Sequence, residues 1–257
     1  MFANERQDKI YELLIKNGAV TTSGLVEAFK VSIETVRRDL LNMELDGRLR
    51  RVHGGAVIKN DMKQFFNLEK RNTEFEKEKQ ELSYKAVEFI NEGDIIGIDS
   101  GSTALSFAKA VKENFKNLTV ITHSFDVFNE LCSHKDFSVY LCAGLFLKGE
   151  NAFYGNITLD ALGSLHIQKS FVFPSSVSLE HGIGDFQNEL FLIQKQYFQI
   201  SDQIFVLADS SKFEKTSLLK IADMDKRYIY IADSKLPNQL LELYKENNIL
   251  IYKGDAL

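Results

Sequence analysis

Apolar positions fall at helical spacing near the start of the chain and in short unbroken runs beyond it. Ile10, Leu13 and Leu14 predict a first helix from about Asn4 to Lys16, ended by Gly18. A second begins after Thr21 and carries Leu25, Val26 and Phe29. Ser32 is a good N-cap for a third, whose Ile33, Val36, Leu40 and Met43 fall on one inner face and which Asp46-Gly47 closes. Leu49 to Val52, then His53 to Val57 with its paired glycines, predicts a small hairpin. Three helices and a hairpin in under sixty residues make a winged helix-turn-helix.

Further on, short apolar runs alternate with amphipathic stretches. The runs are Ile95–Ile98, Leu118–Ile121, Val139–Cys142, Phe171–Phe173, Ile204–Ala208, Tyr228–Ala232 and Ile249–Tyr252. Between several of them lie Ala104–Lys112, Phe125–Cys132, Glu189–Ile200 and Asn238–Glu246. This alternation predicts an α/β domain with a largely parallel sheet flanked by helices. The charged, amide-rich stretch from Lys59 to about Lys79 reads as a linker entering a helix. The expected division is therefore 1–58 for DNA binding, 59–78 for the connection and 79–257 for the α/β domain.

Charge sharpens the picture of the N-terminal part. The whole chain carries a formal net charge of −5, yet residues 1–60 hold ten Lys and Arg against eight Asp and Glu. A basic patch on an acidic body fits nucleic-acid contacts confined to one end. With the apolar face of the third helix turned inward, Glu34, Thr35, Arg37 and Arg38 project from its first two turns. Guanidinium groups pair with phosphate or guanine edges, and a threonine suits phosphate or thymine. The wing adds Arg50, Arg51 and His53 for the backbone. Two adjacent arginines alone are more often a solvated helix face. The capped helix, the arginine pair and the basic Gly-Gly wing together favour DNA.

The start of the chain has no apolar core for a signal peptide, and no run approaches the ~18 to 20 apolar residues of a membrane span. Two cysteines, Cys132 and Cys142, make no disulfide framework or zinc site, and are expected to be reduced, buried thiols of a cytoplasmic protein. The five histidines show no short ligand spacing, so neither metal nor cofactor is expected.

Two small-residue turns carry the candidate chemistry of the larger domain. Asp99-Ser100-Gly101-Ser102-Thr103 joins an apolar strand to a helix, and backbone N–H groups at such a junction can cradle phosphate. It reads equally well as a tight turn with a good N-cap. Asp209-Ser210-Ser211-Lys212 repeats the arrangement, with Lys212 as a cation.

The run Val20-Thr21-Thr22, Val31-Ser32 and Thr35-Val36-Arg37-Arg38-Asp39-Leu40, followed by Leu49-Arg50-Arg51-Val52-His53-Gly54-Gly55-Ala56, closely resembles the DNA-binding domain of the DeoR family of bacterial repressors. Gly24 departs from it, where relatives usually place a Glu. The resemblance continues through Asp99 to Thr103, Val120-Ile121-Thr122, Gly144, Tyr154-Gly155, His181-Gly182, Glu189 and Leu207 to Phe213, so it covers almost the whole chain. It implies a sensor domain similar in fold to ribose-5-phosphate isomerase and a phosphorylated sugar as effector. It also implies a homo-oligomer, dimer or higher, on double-stranded operator DNA. The expected DNA contacts are Thr21, Ser32, Thr35, Arg37, Arg38, Arg50, Arg51 and His53. The expected effector contacts are Asp99, Ser100, Gly101, Ser102, Thr103, Thr122, His123, Gly144 and Lys212. His123, Ala143, Gln168, Phe173, Ser176 and Gln194 depart from the family pattern, which leaves effector identity open.

The function expected is a repressor of sugar-metabolism genes, modulated by a sugar phosphate. The alternatives are a sugar-phosphate isomerase with an accessory DNA-binding domain, whose nominal bases are Asp99, Asp209 and Glu189, and a regulator with a degenerate pocket that answers to a protein partner.

Overall fold

The N-terminal unit forms because short amphipathic segments bury one face each against a common centre. Helix α1 spans Ala3–Asn17, strand β1 Ala19–Thr21, α2 Thr22–Phe29 and α3 Ile33–Leu45, followed by β2 (Leu49–Val52) and β3 (Gly55–Ile58). Ile10, Leu14, Leu25, Val36, Leu40, Met43 and Leu49 meet in its core. The computed structural model describes residues 3–17, 19–46, 48–52, 54–58 and 68–256, so Gly18, Gly47 and His53 lie outside it. Two findings differ from the sequence reading. Strand β1 joins the hairpin to give a three-stranded antiparallel order β1-β3-β2, although three residues are too few to show a period. Ile33 is 46 % exposed rather than inside, because the first residue of α3 lies beyond the end of the core. The inner face takes Asp39 instead, 2 % exposed and paired with the Nε of Arg6 at 2.5 Å.

Residues 59–67 of the expected linker lie outside the described residues; from 68 onward it is helical. Helix α4 covers Leu68–Thr73 and α5 Glu76–Val87. The expected boundary after residue 78 falls inside α5, whose Leu82 and Ala86 pack into the core of the larger domain.

That domain continues as β4 (Ile95–Ile98), α6 (Ser102–Asn114), β5 (Thr119–Thr122), α7 (Phe125–Leu131), β6 (Ser138–Leu141), β7 (Leu145–Leu147), β8 (Ala152–Tyr154) and α8 (Asn156–Gly163). It goes on through β9 (Ile167–Val172), β10 (Ser176–Ser178), β11 (Gly182–Asp185), α9 (Asn188–Ile200) and β12 (Ser201–Leu207). It closes with β13 (Leu219–Ala222), β14 (Ile229–Ala232), α10 (Asn238–Glu246) and β15 (Ile251–Lys253). The seven apolar runs of the sequence all join one sheet of order β15-β14-β12-β9-β4-β5-β6, every pair parallel.

Strand β9 begins four residues before its apolar run. Its polar start is held edge to edge by side chains: Gln168 Oε1 accepts from the Ile95 N–H at 2.8 Å, Lys169 pairs with Asp94 at 2.5 Å, and Ser170 meets Ser201 at 2.6 Å. Alternate positions bury opposite faces, as a sheet covered on both sides requires. Ile96, Ile98, Val120, Phe171 and Phe205 pack on one side with Leu82 and Phe107. Ile121, Ile167 and Val172 pack on the other with Leu162, Ile193 and Tyr197. Gly97 admits that second layer: a Cβ there would lie 2.6 Å from Ser170 Oγ and 3.0 Å from a ring carbon of Tyr197.

The chain leaves the sheet centre in two directions. From β4 it runs outward to β5 and β6, then returns to β9 on the other side and runs outward to β12, β14 and β15. At such a reversal the connections after the two central strands diverge and open a crevice at their carboxyl ends.

Candidate functional site

Two sites stand out, one in the N-terminal unit and one in the larger domain. Thr21 and Ser32 cap α2 and α3: Thr21 Oγ1 accepts from the Gly24 N–H at 3.1 Å, and Ser32 Oγ accepts from the Thr35 N–H at 3.2 Å. Ser32 and Thr35 also share a hydroxyl hydrogen bond of 2.8 Å, which fixes Thr35 at the start of α3. Of the basic residues here, Arg6 is buried against Asp39, and Arg48 is held by Asp8 and the ring of Tyr11. Arg37, Arg38, Arg50 and Arg51 are exposed. Arg37 pairs with Glu34 at 2.9 Å in an ion pair open to solvent, which counts for little. The Arg51 N–H donates to Glu44 Oε1 at 2.7 Å and so ties the wing to the end of α3. Arg37 and Arg38 on α3 and Arg50 and Arg51 on the wing strand β2 are thus the basic residues these two elements expose.

The second site is a cavity of about 310 Å³ at the crevice beyond β4 and β9. Small-molecule sites commonly have this size and position. Ser100, Gly101, Ser102 and Thr103 form one wall and Lys212 another, as expected. Gly101 has φ +108°, a conformation open to glycine and strained for other residues, and it stands immediately before the first turn of α6. The first turn of a helix leaves N–H groups without intrahelical partners, and residues 100–103 line the cavity here.

Four expected effector contacts do not line the cavity. Asp99 and His123 are fully buried beside it, and Thr122 is turned inward, its hydroxyl donating to the Ile98 carbonyl at 2.7 Å. Gly144 sits before β7, where a Cβ would strike Thr158 and the Tyr154 carbonyl. The reason is the same for all four. The sequence marks a turn as special without saying whether its side chains point at the ligand or hold the turn.

Sequence reading missed several cavity residues: Arg71, Lys79, Glu150, Asp185, Gln187 and Lys215. They come from distant segments, and only the fold brings them together. Arg71 Nη2 bonds both Glu150 oxygens at 2.6 and 2.5 Å, and Gln187 Nε2 reaches the same carboxylate at 2.9 Å. Burial pushes the Glu150 carboxyl upward, and Arg71 opposes that. Burial also lowers the Lys79 ammonium to about 8, against the pull of Asp209.

Gln194, a departure from the family pattern, is 2 % exposed and holds the cavity floor. Its Nε2 donates to Asp99 Oδ2 at 3.2 Å and to Asp185 Oδ2 at 2.9 Å, while its Oε1 has no partner among the described residues. An amide donates here without neutralising either carboxylate. Burial first, and the charge of Asp185 among lesser causes, raises the Asp99 carboxyl to about 7. Burial lowers His123 to about 3, so the imidazole is neutral.

Cys142 is buried, but Cys132 is exposed, contrary to the expectation that both are buried. It caps the C-terminal end of α7. Among the described residues no helix is long and apolar enough to cross a membrane.

The fold thus pairs a winged helix-turn-helix with a larger parallel-sheet α/β domain that holds a polar cavity at its topological switch point, the layout of a ligand-responsive transcription regulator. The DeoR-like helix-turn-helix domain matches residues 6–61, and the DeoR C terminal sensor domain matches residues 74–234. This chain belongs to the DeoR family of DNA-binding transcriptional regulators. It is 31 % identical to the lactose phosphotransferase system repressor of Streptococcus mutans over 97 % of this chain and 100 % of that one. It is 30 % identical to the L-fucose operon activator of Haemophilus influenzae over 96 % and 98 %. It is 29 % identical to the HTH-type transcriptional repressor GlcR of Bacillus subtilis over 93 % and 91 %. Among solved structures, ribose 5 phosphate isomerase A from Neisseria gonorrhoeae is similar with a TM-score of 0.41 and 20 % identity, covering 53 % of each chain. This chain therefore spans about half the length of that isomerase.

Proposed function

We propose that this protein is a cytoplasmic repressor of sugar-metabolism genes whose grip on operator DNA changes when a phosphorylated sugar enters the cavity beside β4. The observation that carries the reading is the cavity itself. The turn Ser100–Thr103 presents backbone N–H groups to an anion, Lys212 adds positive charge, and Gln194 with Asp185 offers hydrogen bonds to hydroxyl groups. The names of the relatives, a lactose phosphotransferase system repressor and an L-fucose operon activator among them, support sugar metabolism as the regulated process.

In this reading Thr21, Ser32, Thr35, Arg37, Arg38, Arg50, Arg51 and His53 form the DNA contacts, with α3 in the major groove and β2 along the backbone. Residues 1–58 are the DNA-binding domain, the connection follows, and the sensor domain begins within the α4–α5 segment. The functional unit is a homo-oligomer, because paired half-sites are read by paired modules. The chain acts as a regulator and not as an isomerase: the Asp99 side chain is fully buried outside the cavity lining, whereas a general base must lie within reach of substrate.

The test is DNA binding by the full chain across a panel of sugar phosphates. One or more of them should shift operator affinity at least about fivefold, the lower end of usual allosteric coupling. No shift with any member at millimolar concentration would overturn the effector assignment, and no sequence-selective duplex binding at all would overturn the regulator reading.

A further inference from the structure

The first described element after the wing is α4, and nine residues separate it from β3. This short helix does not stand clear of the sensor domain. Arg71 reaches from it into the cavity wall, and its Nη1 lies 4.0 Å from the position a Cβ would take on Gly101. One guanidinium nitrogen is engaged by Glu150, while the buried Nε has no partner among the described residues. A guanidinium has five N–H donors in a flat fork and matches phosphate as well as carboxylate.

The rest of the segment is fastened to the sensor domain by contacts to its backbone. Lys79 donates to the backbone carbonyls of Arg71 and Glu74, at 2.6 Å for the latter, so α4 is fastened to α5 through a buried lysine. Phe75, between the two helices, has φ +53° and is 45 % exposed at the cavity rim. A bulky side chain in the left-handed region persists only where its surroundings hold it there. Gln194 supplies a separate sign that the cavity awaits a ligand, because its buried Oε1 lacks a partner within the described structure.

We propose that Arg71 is a ligand-binding residue, exchanging Glu150 for the effector's phosphate at the Gly101–Thr103 turn, so that α4 reads occupancy of the cavity. The proposal rests on the effector reading above and adds the residue and the path. Phosphate at the turn attracts the guanidinium more strongly than one carboxylate does, because it brings more charge and more acceptor oxygens. Arg71 then leaves Glu150, which Gln187 still holds, and the backbone of α4 follows its side chain. The segment that moves is the one joined to the DNA-binding module, so no longer relay through the sheet is required.

The test uses the full chain and inorganic phosphate as the probe. Arg71→Gln should weaken phosphate binding about tenfold or more, and Glu150→Gln should strengthen it about threefold, since the competitor has lost its charge. The double variant keeps a neutral pair in place of the ion pair and should bind as weakly as Arg71→Gln, which separates lost recognition from a damaged fold. In the unmodified protein, phosphate should change amide exchange across residues 68–79. Phosphate affinity unaltered by Arg71→Gln, or exchange over 68–79 unaltered by phosphate, would overturn this inference and leave the effector reading standing. If neither phosphate nor any sugar phosphate binds the unmodified chain, both fall together.

Discussion

Asp99 Oδ1 and His123 Nε2 face each other at 3.6 Å, both side chains fully buried, and neither atom has a hydrogen-bond partner among the described residues. The other Asp99 oxygen accepts from the Phe173 N–H and from Gln194. His123 Nδ1 lies 3.3 Å from the hydroxyl of Tyr197, which bonds the Ile98 carbonyl. With the imidazole neutral the contact is not an ion pair, and burial favours the protonated form of Asp99.

That arrangement sets a pH dependence. An Asp whose folded value is about 7, against an ordinary 3.8, binds a proton more tightly in the folded state. Its contribution therefore favours folding fully below about pH 4 and declines as pH rises through 7. Asp99→Asn should mimic the protonated form. We expect its melting temperature to exceed that of the unmodified chain at pH 8, by the equivalent of roughly 2 to 4 kcal/mol, and to converge with it only near pH 4. A gap that stays constant over that range would show that Asp99 does not hold the proton.

At the other end, Arg38 and Arg51 should fail in different ways. Arg38 projects from the second turn of α3, so Arg38→Ala is expected to weaken binding to a selected operator by about 1 to 3 kcal/mol and to relax its sequence preference. Arg51 is on the exposed wing strand, so Arg51→Ala should lower the salt dependence by about one ion and affect all sequences alike. Fluorescence anisotropy over a salt series measures both. Unchanged operator affinity in both variants would refute the docking of α3 and wing.

Arg6 should matter to DNA binding without touching DNA. It is 7 % exposed and pairs with Asp39, which lies on the inner face of α3. Arg6→Ala strands a buried carboxylate, at a destabilisation of about 3 to 5 kcal/mol, whereas Arg6→Met with Asp39→Leu should stay within about 1 to 2 kcal/mol of the unmodified stability. Amide exchange of α1 and α3 distinguishes the two. Equal protection in both variants would mean the pair contributes nothing to the placement of α3.

Gly101→Ala should impair the cavity selectively. No atom blocks a Cβ there, so the effect is backbone strain of about 1 to 3 kcal/mol at φ +108°. The turn is expected to relax away from its present shape, weakening sugar-phosphate or phosphate binding about tenfold. DNA affinity without ligand should be unaffected. Calorimetry on the variant that found full ligand affinity would remove the turn from the site.

The amino-acid sequence alone determined the elements. Apolar spacing located the three helices and the wing, and all seven runs that became the parallel sheet, because those patterns record which face each segment must bury. Caps such as Ser32 are local as well, since donor and acceptor are three residues apart. Strand β1 escaped because three residues are too few to show an alternation, and the polar half of β9 escaped because Gln168, Lys169 and Ser170 find their partners on neighbouring strands. Only the tertiary structure decided which side chains face the cavity. Arg71, Glu150 and Gln187 are far apart along the chain, and nothing local to any of them predicts that they converge. Asp99, Thr122 and His123, expected as effector contacts, have buried side chains that do not line the cavity. A sequence records local preference, whereas a binding site is a meeting of distant segments, and the strand order that makes them meet belongs to the folded sheet.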